Sequence, residues 1–454
     1  MLYMKKMIGA ALILAFCINS NAQKGWQSLF DGKTLTGWNK VAGAAKYVIE
    51  DNAIVGITVV NTPNTFLLTD KIYSDFILEL EVKIEDKATN SGIQFRSNYD
   101  ASGANGKGKV SGYQYELDPS PRAWTGGIYD EARRGWLYPL DLNDAARMAY
   151  KTGQYNKVRI ECKGAITQTF VNGTPAAILV DTMNTSGYIA LQVHSIGASK
   201  VGGQKIYWKN IRVNTSDVKL SPVKNVYTVN NIPNNLSSPE KSQGWSLLFD
   251  GKTFNGWRSA RGNSFPSKGW GIEDGALKVL PSDGAESTNG GDIVTSKQYA
   301  AFDLTFQFKL TPGANSGVKY FVTLQEQSDG SAIGPEYQIL DDKLHPDAKL
   351  GKDGNRTMAS LYDLIASKKD PRAFKAIGQW NTGRVLAQKN GQVTYFLNGI
   401  PLVEFVRGSE DFRKLVAGSK YKNWSHFGEA PKGHILLQDH GNEVSFRSIK
   451  IRNL

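Results

Sequence analysis

The phrase LFDGKT stands at 29–34 and again at 248–253, each time with Gly-Trp just upstream and Gly-Trp again three residues on. A chain that repeats itself over this length folds as one module used twice, so its chemistry is to be sought in what both copies keep. The order of matching phrases holds throughout. SGIQF at 91–95 answers SGVKY at 316–320, YQYEL at 113–117 answers PEYQI at 335–339, and GIYDE at 127–131 answers SLYDL at 360–364. GQYNKVRI, FVNGTP and ALQVH are matched in turn by GQWNTGRV, FLNGIP and LLQDH. The offset stays at about 225 residues and then widens by about 20, which places an insertion around 409–433, a loop or short helix at the rim.

Each module, 23–213 and 243–454, is long enough to bury its own core, and the Asn-, Ser- and Pro-rich stretch 214–242 reads as a linker. Residues 1–22 read as a signal peptide. Lys5 and Lys6 precede an apolar run at 7–18 too short to span a bilayer, and Ser20 and Ala22 suit a signal peptidase. A periplasmic or secreted protein without a transmembrane segment is therefore expected. A competing reading makes Cys17 a lipid-carrying cysteine, although Phe16 is bulky where such signals want a small residue. Without the leader Cys162 is the sole cysteine, so no intramolecular disulfide is expected, and its place in RIECKG suggests a small buried hydrophobe. Two leader lysines contribute to the formal charge of +12, and the remaining basic residues are scattered without runs. That pattern is a solvated surface, and no nucleic-acid partner is expected.

FILELEVKI and FDLTFQFKL alternate apolar and polar residues, as do VRIEC, TQTFV, YIALQVH, KIYWKNIRV and VSFRSIKIR. These short stretches are bounded by Gly, Asn, Asp and Pro, and VNG and LNG mark tight turns, so the chain is expected to be all-β. The helix candidates, near 142–150 and 409–418, are peripheral. Two tandem jelly-roll β-sandwiches of the concanavalin A-like kind follow, each with a concave sheet whose alternate side chains point into a groove.

In SGIQF, YQYEL and ALQVH the non-core set contains Gln94, Gln114, Glu116, Gln192 and His194; in the second copy it contains Lys319, Glu336, Gln338, Gln438 and His440. They share a face only if their strands are neighbours. An imidazole and a carboxylate can divide general acid and base roles, while amides and basic side chains orient hydroxyls and carbonyls. The plain alternative is a histidine that ends a strand and satisfies a nearby carbonyl. Recurrence of the whole set at matching offsets favours chemistry.

The phrases GWQSLFDGKTLTGW, NSGIQFRS, GYQYELDPSPRAWTGGIYDEARRGWLYPL and GYIALQVHSIG, with GPEYQILDD, NRTMASLYDLIAS, GQWNTGRV and KGHILLQDHGNEVSFRSIKIR, resemble the 3-keto-disaccharide hydrolase family of exported Bacteroidota proteins. The resemblance covers nearly all of the chain outside the leader and the linker. It implies cleavage of glycosides already oxidised at C3: the ketone acidifies the C2 hydrogen, a base removes it, the C1 substituent leaves by β-elimination, and water adds to the unsaturated sugar. Ordinary glycosidases need two opposed carboxylates instead. Glu116 and Asp118 have the spacing of laminarinase-type glucanases, but that pattern's third carboxylate falls on Ser120. On this resemblance His440 or Glu336 is the C2 base of the second copy, with Gln338, Gln438 and Lys319 or Arg356 holding the sugar. Their counterparts are His194, Glu116, Gln114, Gln192 and Arg96, with Gln94 beside them. If the tyrosine between them sets the register, acid and amide have exchanged places between Gln114/Glu116 and Glu336/Gln338. The partners implied are an oligosaccharide or glycoside substrate and a separate C3 sugar dehydrogenase, since the chain carries no dinucleotide-binding fingerprint.

Asp341, Asp342, His345 and Asp347 could supply oxygen and nitrogen ligands to a divalent cation, although Asp-rich loops with Pro are usually turns, and no cofactor is otherwise implied. Trp124, Trp136, Trp270 and Trp424 could stack on sugar rings or cap a core edge. A lectin-like binding protein, or one catalytic and one binding module, is the rival reading.

Overall fold

The computed structural model of the chain describes residues 25–282, 288–324 and 332–454. The leader and Cys17 lie outside the described residues, of which no helix is long and apolar enough to cross a membrane. Among the described residues thirty strands assemble into four sheets, two built from residues before 231 and two from residues after 244. In each half a back sheet packs on a front sheet, the tandem sandwich that alternation predicts. Phe76–Ile84 shows the cause: Leu78, Leu80, Val82 and Ile84 are buried between the sheets while Glu79, Glu81 and Lys83 face outward. Leu304, Phe306, Phe308 and Leu310 repeat the pattern in Phe302–Leu310. Each such side chain contributes about 1.5–3 kcal/mol on burial. Cys162 is one of these core groups; it is fully buried, and burial pushes its thiol up to about 11.

The repeated opening phrase is a structural device. Trp26–Ser28 pairs with Lys205–Asn214, and Trp245–Leu247 with Val444–Asn453, the last long strand of each half. Asp31 then accepts the backbone N–H groups of Lys33 and Thr34 at 2.8 and 2.7 Å, and Asp250 accepts those of Lys252 and Thr253 at the same distances. The following indoles, Trp38 and Trp257, donate to the Leu29 and Leu248 carbonyls. Asx turns of this kind close a loop without helix or sheet partners. Asn172-Gly173 and Asn398-Gly399 adopt positive φ at both residues, as the VNG and LNG turns require.

Two peripheral helices fall where composition placed them: Asp144–Arg147, and Glu410–Ala417, which is capped by Ser409. The stretch 214–242, read as a linker, carries secondary structure of its own. Its Thr228–Asn230 adds a parallel strand to the first back sheet, and Ser238–Ser242 is a helix with a complete capping box on Ser237 and Glu240. Together with the rim at 136–142, this stretch covers the outer face of the second back sheet. The Tyr227 hydroxyl lies 3.2 Å from Thr305 Oγ1, the Arg384 guanidinium stacks 4.2 Å over the Tyr227 ring, and Glu240 forms a buried ion pair with Lys450 at 2.7 Å. The corresponding face of the first half is open, forms a groove of about 920 Å³, and carries the ladder Glu79–Arg159–Arg212.

Candidate functional site

On the front sheet of the first half, Ser91–Asp100 lies between Lys109–Leu117 and Gly187–Val193. The register sets Gln94 opposite Gln114 and Ala190, and Gly92 opposite Glu116 and Gln192. Gln94, Gln114, Glu116 and Gln192 are thereby brought together on one face. Nε2 of Gln94 and of Gln192 donate to Gln114 Oε1 at 2.5 and 3.1 Å, and Gln114 Nε2 donates to Glu116 Oε2 at 2.9 Å. Gly92 permits this crossing, since a Cβ there would stand 2.4 Å from the Gln114 Cδ.

Glu116 is only 4% exposed. Burial pushes its carboxyl up to about 7, outweighing hydrogen bonds from Asn90 and Gln114 and the charge of Arg122. The Asn90 amide donates to it at 2.7 Å and Arg122 Nη2 at 3.3 Å. It opens on a cleft of about 460 Å³ shared with Tyr129, Glu131, Trp136 and His194. His194 Nδ1 donates to the Ser195 carbonyl at 2.7 Å, which leaves Nε2 free to accept or carry a second proton. No hydrogen bond joins His194 to Glu116 among the described residues. The carboxylate that the His194 charge favours is Glu131, whose carboxyl burial otherwise raises and which Asn64 binds at 3.0 Å. Sequence reasoning missed Asn64, Asn90, Arg122 and Glu131. The alternation in Ile128–Glu131, where Tyr129 and Glu131 share the half-buried side, was the available signal for the last.

Arg96 corrects an expectation. It sits at φ +47° in a bulge, which breaks the alternation, and its buried guanidinium donates to the Ser74 and Gly164 carbonyls and to Asp75. It holds the fold and does not line the cleft.

In the second half, Asn315–Leu324 pairs with Glu336–Leu340 so that Lys319 faces Glu336 and Gly317 faces Gln338. Gln438 joins the same face through its backbone N–H to the Gly317 carbonyl. Gln114 and Glu336 are therefore equivalent positions, as are Glu116 and Gln338: acid and amide have changed places. The tyrosines between them, Tyr115 and Tyr337, point into the core and donate to the Phe170 and Phe396 carbonyls, each at 3.1 Å. Glu336 lies across Gly317 as Gln114 lies across Gly92.

The second cleft, about 510 Å³, is lined by Asp292, Lys319, Lys420, Tyr421 and Trp424 among others. Lys319 Nζ stands 3.8 Å from Asp292. Tyr421 and Trp424 come from the insertion, which thus builds a wall. His440 is not on this lining. Its ring packs edge-on against His345 at 5.6 Å, and burial with the neighbouring His440 charge holds His345 below its usual range. The structure therefore does not pair His440 with Glu336 as expected. Arg356 is bound to Asp363 and Asp347 at 2.7 and 3.0 Å and is spent on that network.

The side chains that could hold a divalent cation are bound to other groups. Asp341 accepts the N–H groups of Gly313, Lys343 and Leu344, Asp342 binds the Met358 N–H and Lys369, Asp347 binds Arg356, and His345 Nδ1 accepts the Asp347 N–H. Their lone pairs point at donors, and among the described residues no three metal-binding side chains converge. Of the tryptophans, Trp124 and Trp270 are buried at core edges, while Trp136 and Trp424 wall the two clefts.

The chain is similar to several known proteins. A 3-keto-disaccharide hydrolase of Bacteroides thetaiotaomicron is 37% identical over 240 residues, which are 48% of this chain and 81% of that protein. Two Parabacteroides distasonis crystal structures bearing provisional glycosyl hydrolase names are 32% and 28% identical. They align with 49% and 46% of this chain and 99% of their own, at TM-scores of 0.42 and 0.35. The profile of the 3-keto-alpha-glucoside-1,2-lyase-like domain matches residues 25–214 and again 244–452. The chain belongs to that family and carries its domain twice.

Proposed function

We propose that this chain is a carbohydrate-active hydrolase that cleaves glycosides oxidised at C3, and that the first-half cleft carries the chemistry. The name of the Bacteroides relative supports a sugar substrate. The observation that carries the reading is Glu116: a buried carboxyl held near pKa 7 on the open face of the sheet, in one cleft with His194 and Glu131. A group titrating near the working pH is suited to take and return a proton.

In this scheme Glu116 takes the C2 proton, and Arg122 and Gln114 stabilise the enolate oxygen at C3. The C1–O bond breaks as His194 Nε2 protonates the leaving oxygen. Water then adds to C1 of the enone, giving a proton to His194, and Glu116 returns one to C2. The sum is hydrolysis, with no net change in either side chain. Glu131 lines the same cleft, close enough to His194 for the two to interact. A C3-oxidising dehydrogenase must supply the substrate, and an exported location remains part of this proposal.

The test is release of aglycone from a 3-keto-glucoside in D₂O. Deuterium at C2 of the liberated sugar is expected; undeuterated product, together with no slowing of release when the substrate itself carries deuterium at C2, would exclude the elimination route. The second half favours a binding role: Gln338 replaces the poised acid, and the half-buried Trp424 offers a stacking surface in the cleft that Lys319 lines.

A further inference from the structure

The wall of the first cleft continues into the contact between the halves. Trp136 lines the cleft on one side and, on the other, a cavity of about 90 Å³ between the two halves. Trp124, fully buried, meets Trp136 edge-to-face at 4.4 Å. The Arg122 guanidinium lies 4.6 Å from the Trp124 ring and 5.0 Å from that of Trp136, and from there reaches Glu116 and, at 2.6 Å, Asp118. A second guanidinium stands 4.8 Å over Trp124, and it belongs to Arg372 of the other half. Arg372 donates to Asp370 from both Nε and Nη2, and the Arg372 charge also acts on Asp141 of the first half.

We propose that Arg372 is a positioning residue for the first-half cleft: it clamps Trp124, Trp124 seats Arg122, and Arg122 sets the charge beside Glu116. The second half would thus serve the first as a buttress, whatever its own groove binds. This rests on the reading of Glu116 above for its catalytic consequence, but not for its physical one. Cation–π contact of this kind is strong enough to hold a buried indole against tilting. The charged and titratable groups facing Glu116 are Arg122, Asp118 and Tyr129, with Glu131 and His194 across the cleft. Of these Arg122 alone is a fixed cation, so its retreat moves the Glu116 titration upward.

The experiment uses the full chain with carbon-13 in the glutamate carboxyls, the Glu116 signal being identified by its loss in E116Q. In R372A the Glu116 midpoint is expected to rise by about half a unit or more, and kcat on a 3-keto-glucoside to fall ~10-fold with KM little changed. R372K, which keeps a cation over Trp124, is expected to restore both. An unchanged midpoint in R372A overturns the proposal, whether or not the protein is active; should R372A fail to fold, R372Q decides by the same midpoint. A midpoint that moves in a protein without activity on the ketosugar leaves the buttress standing and removes the functional reading instead.

Discussion

The two front sheets present the same backbone with the chemistry rearranged. Ser91 and Ser316 donate to the Gln192 and Gln438 carbonyls at 2.7 and 2.8 Å, Gly92 and Gly317 sit at the same crossing, and Tyr115 and Tyr337 anchor the same core position. Yet the carboxylate stands on one side of that tyrosine in the first half and on the other in the second. The back sheets differ in the same spirit. Where the face is open it carries Glu79 opposite Arg159; where it is covered, Thr305 stands opposite Arg384 and the charge moves inward to Asp303, which takes Arg384 at 2.7 and 2.9 Å. Both copies keep what holds the strands, and on the back sheets their polar positions differ according to whether solvent or the other half lies against them.

The largest effect should separate the two clefts. E116Q is expected to lower aglycone release by ~10²- to 10⁴-fold while E336Q stays near wild type; an equal loss in both would end the assignment of catalysis to the first half. Next comes the covered back face. K450M strands the buried Glu240 carboxylate and should cost about 3–5 kcal/mol in urea unfolding. A smaller, pH-dependent difference tests the Glu116 environment. Its folded pKa of about 7 lies above the unfolded 4.5, so folding loses stability as pH rises through that window. E116Q should therefore be more stable than wild type by ~2–3 kcal/mol at pH 8 and no more stable near pH 4. The smallest change is R212M, at the open position equivalent to Lys450. Its pair with Glu79 is half-exposed, and the loss should stay under ~1 kcal/mol; a loss like that of K450M would mean the open face is covered in solution.

Much of this was legible along the chain. Period-two alternation in Phe76–Ile84 and Phe302–Leu310 announced sandwiches because one face of each strand must be apolar to bury. The same alternation put Gln94, Gln114, Glu116 and Gln192 in one set, and the insertion at 409–433 was visible as a shift in offset. Arg96 and His440 were misjudged for different reasons. A bulge flips the former to the back of its strand, and the latter lies past the end of His434–Leu437, where strand period no longer governs direction.

The sequence alone thus determined the duplication, the fold class and the polar set, because these are written in local period and repeated phrase. Only tertiary structure decided that Glu131 meets His194, that the linker is built into a sheet, and that Arg372 reaches Trp124 across the halves. Such contacts join residues far apart in the chain, and a pKa near 7 arises from how much water the assembled fold removes from a carboxyl, which no local pattern encodes.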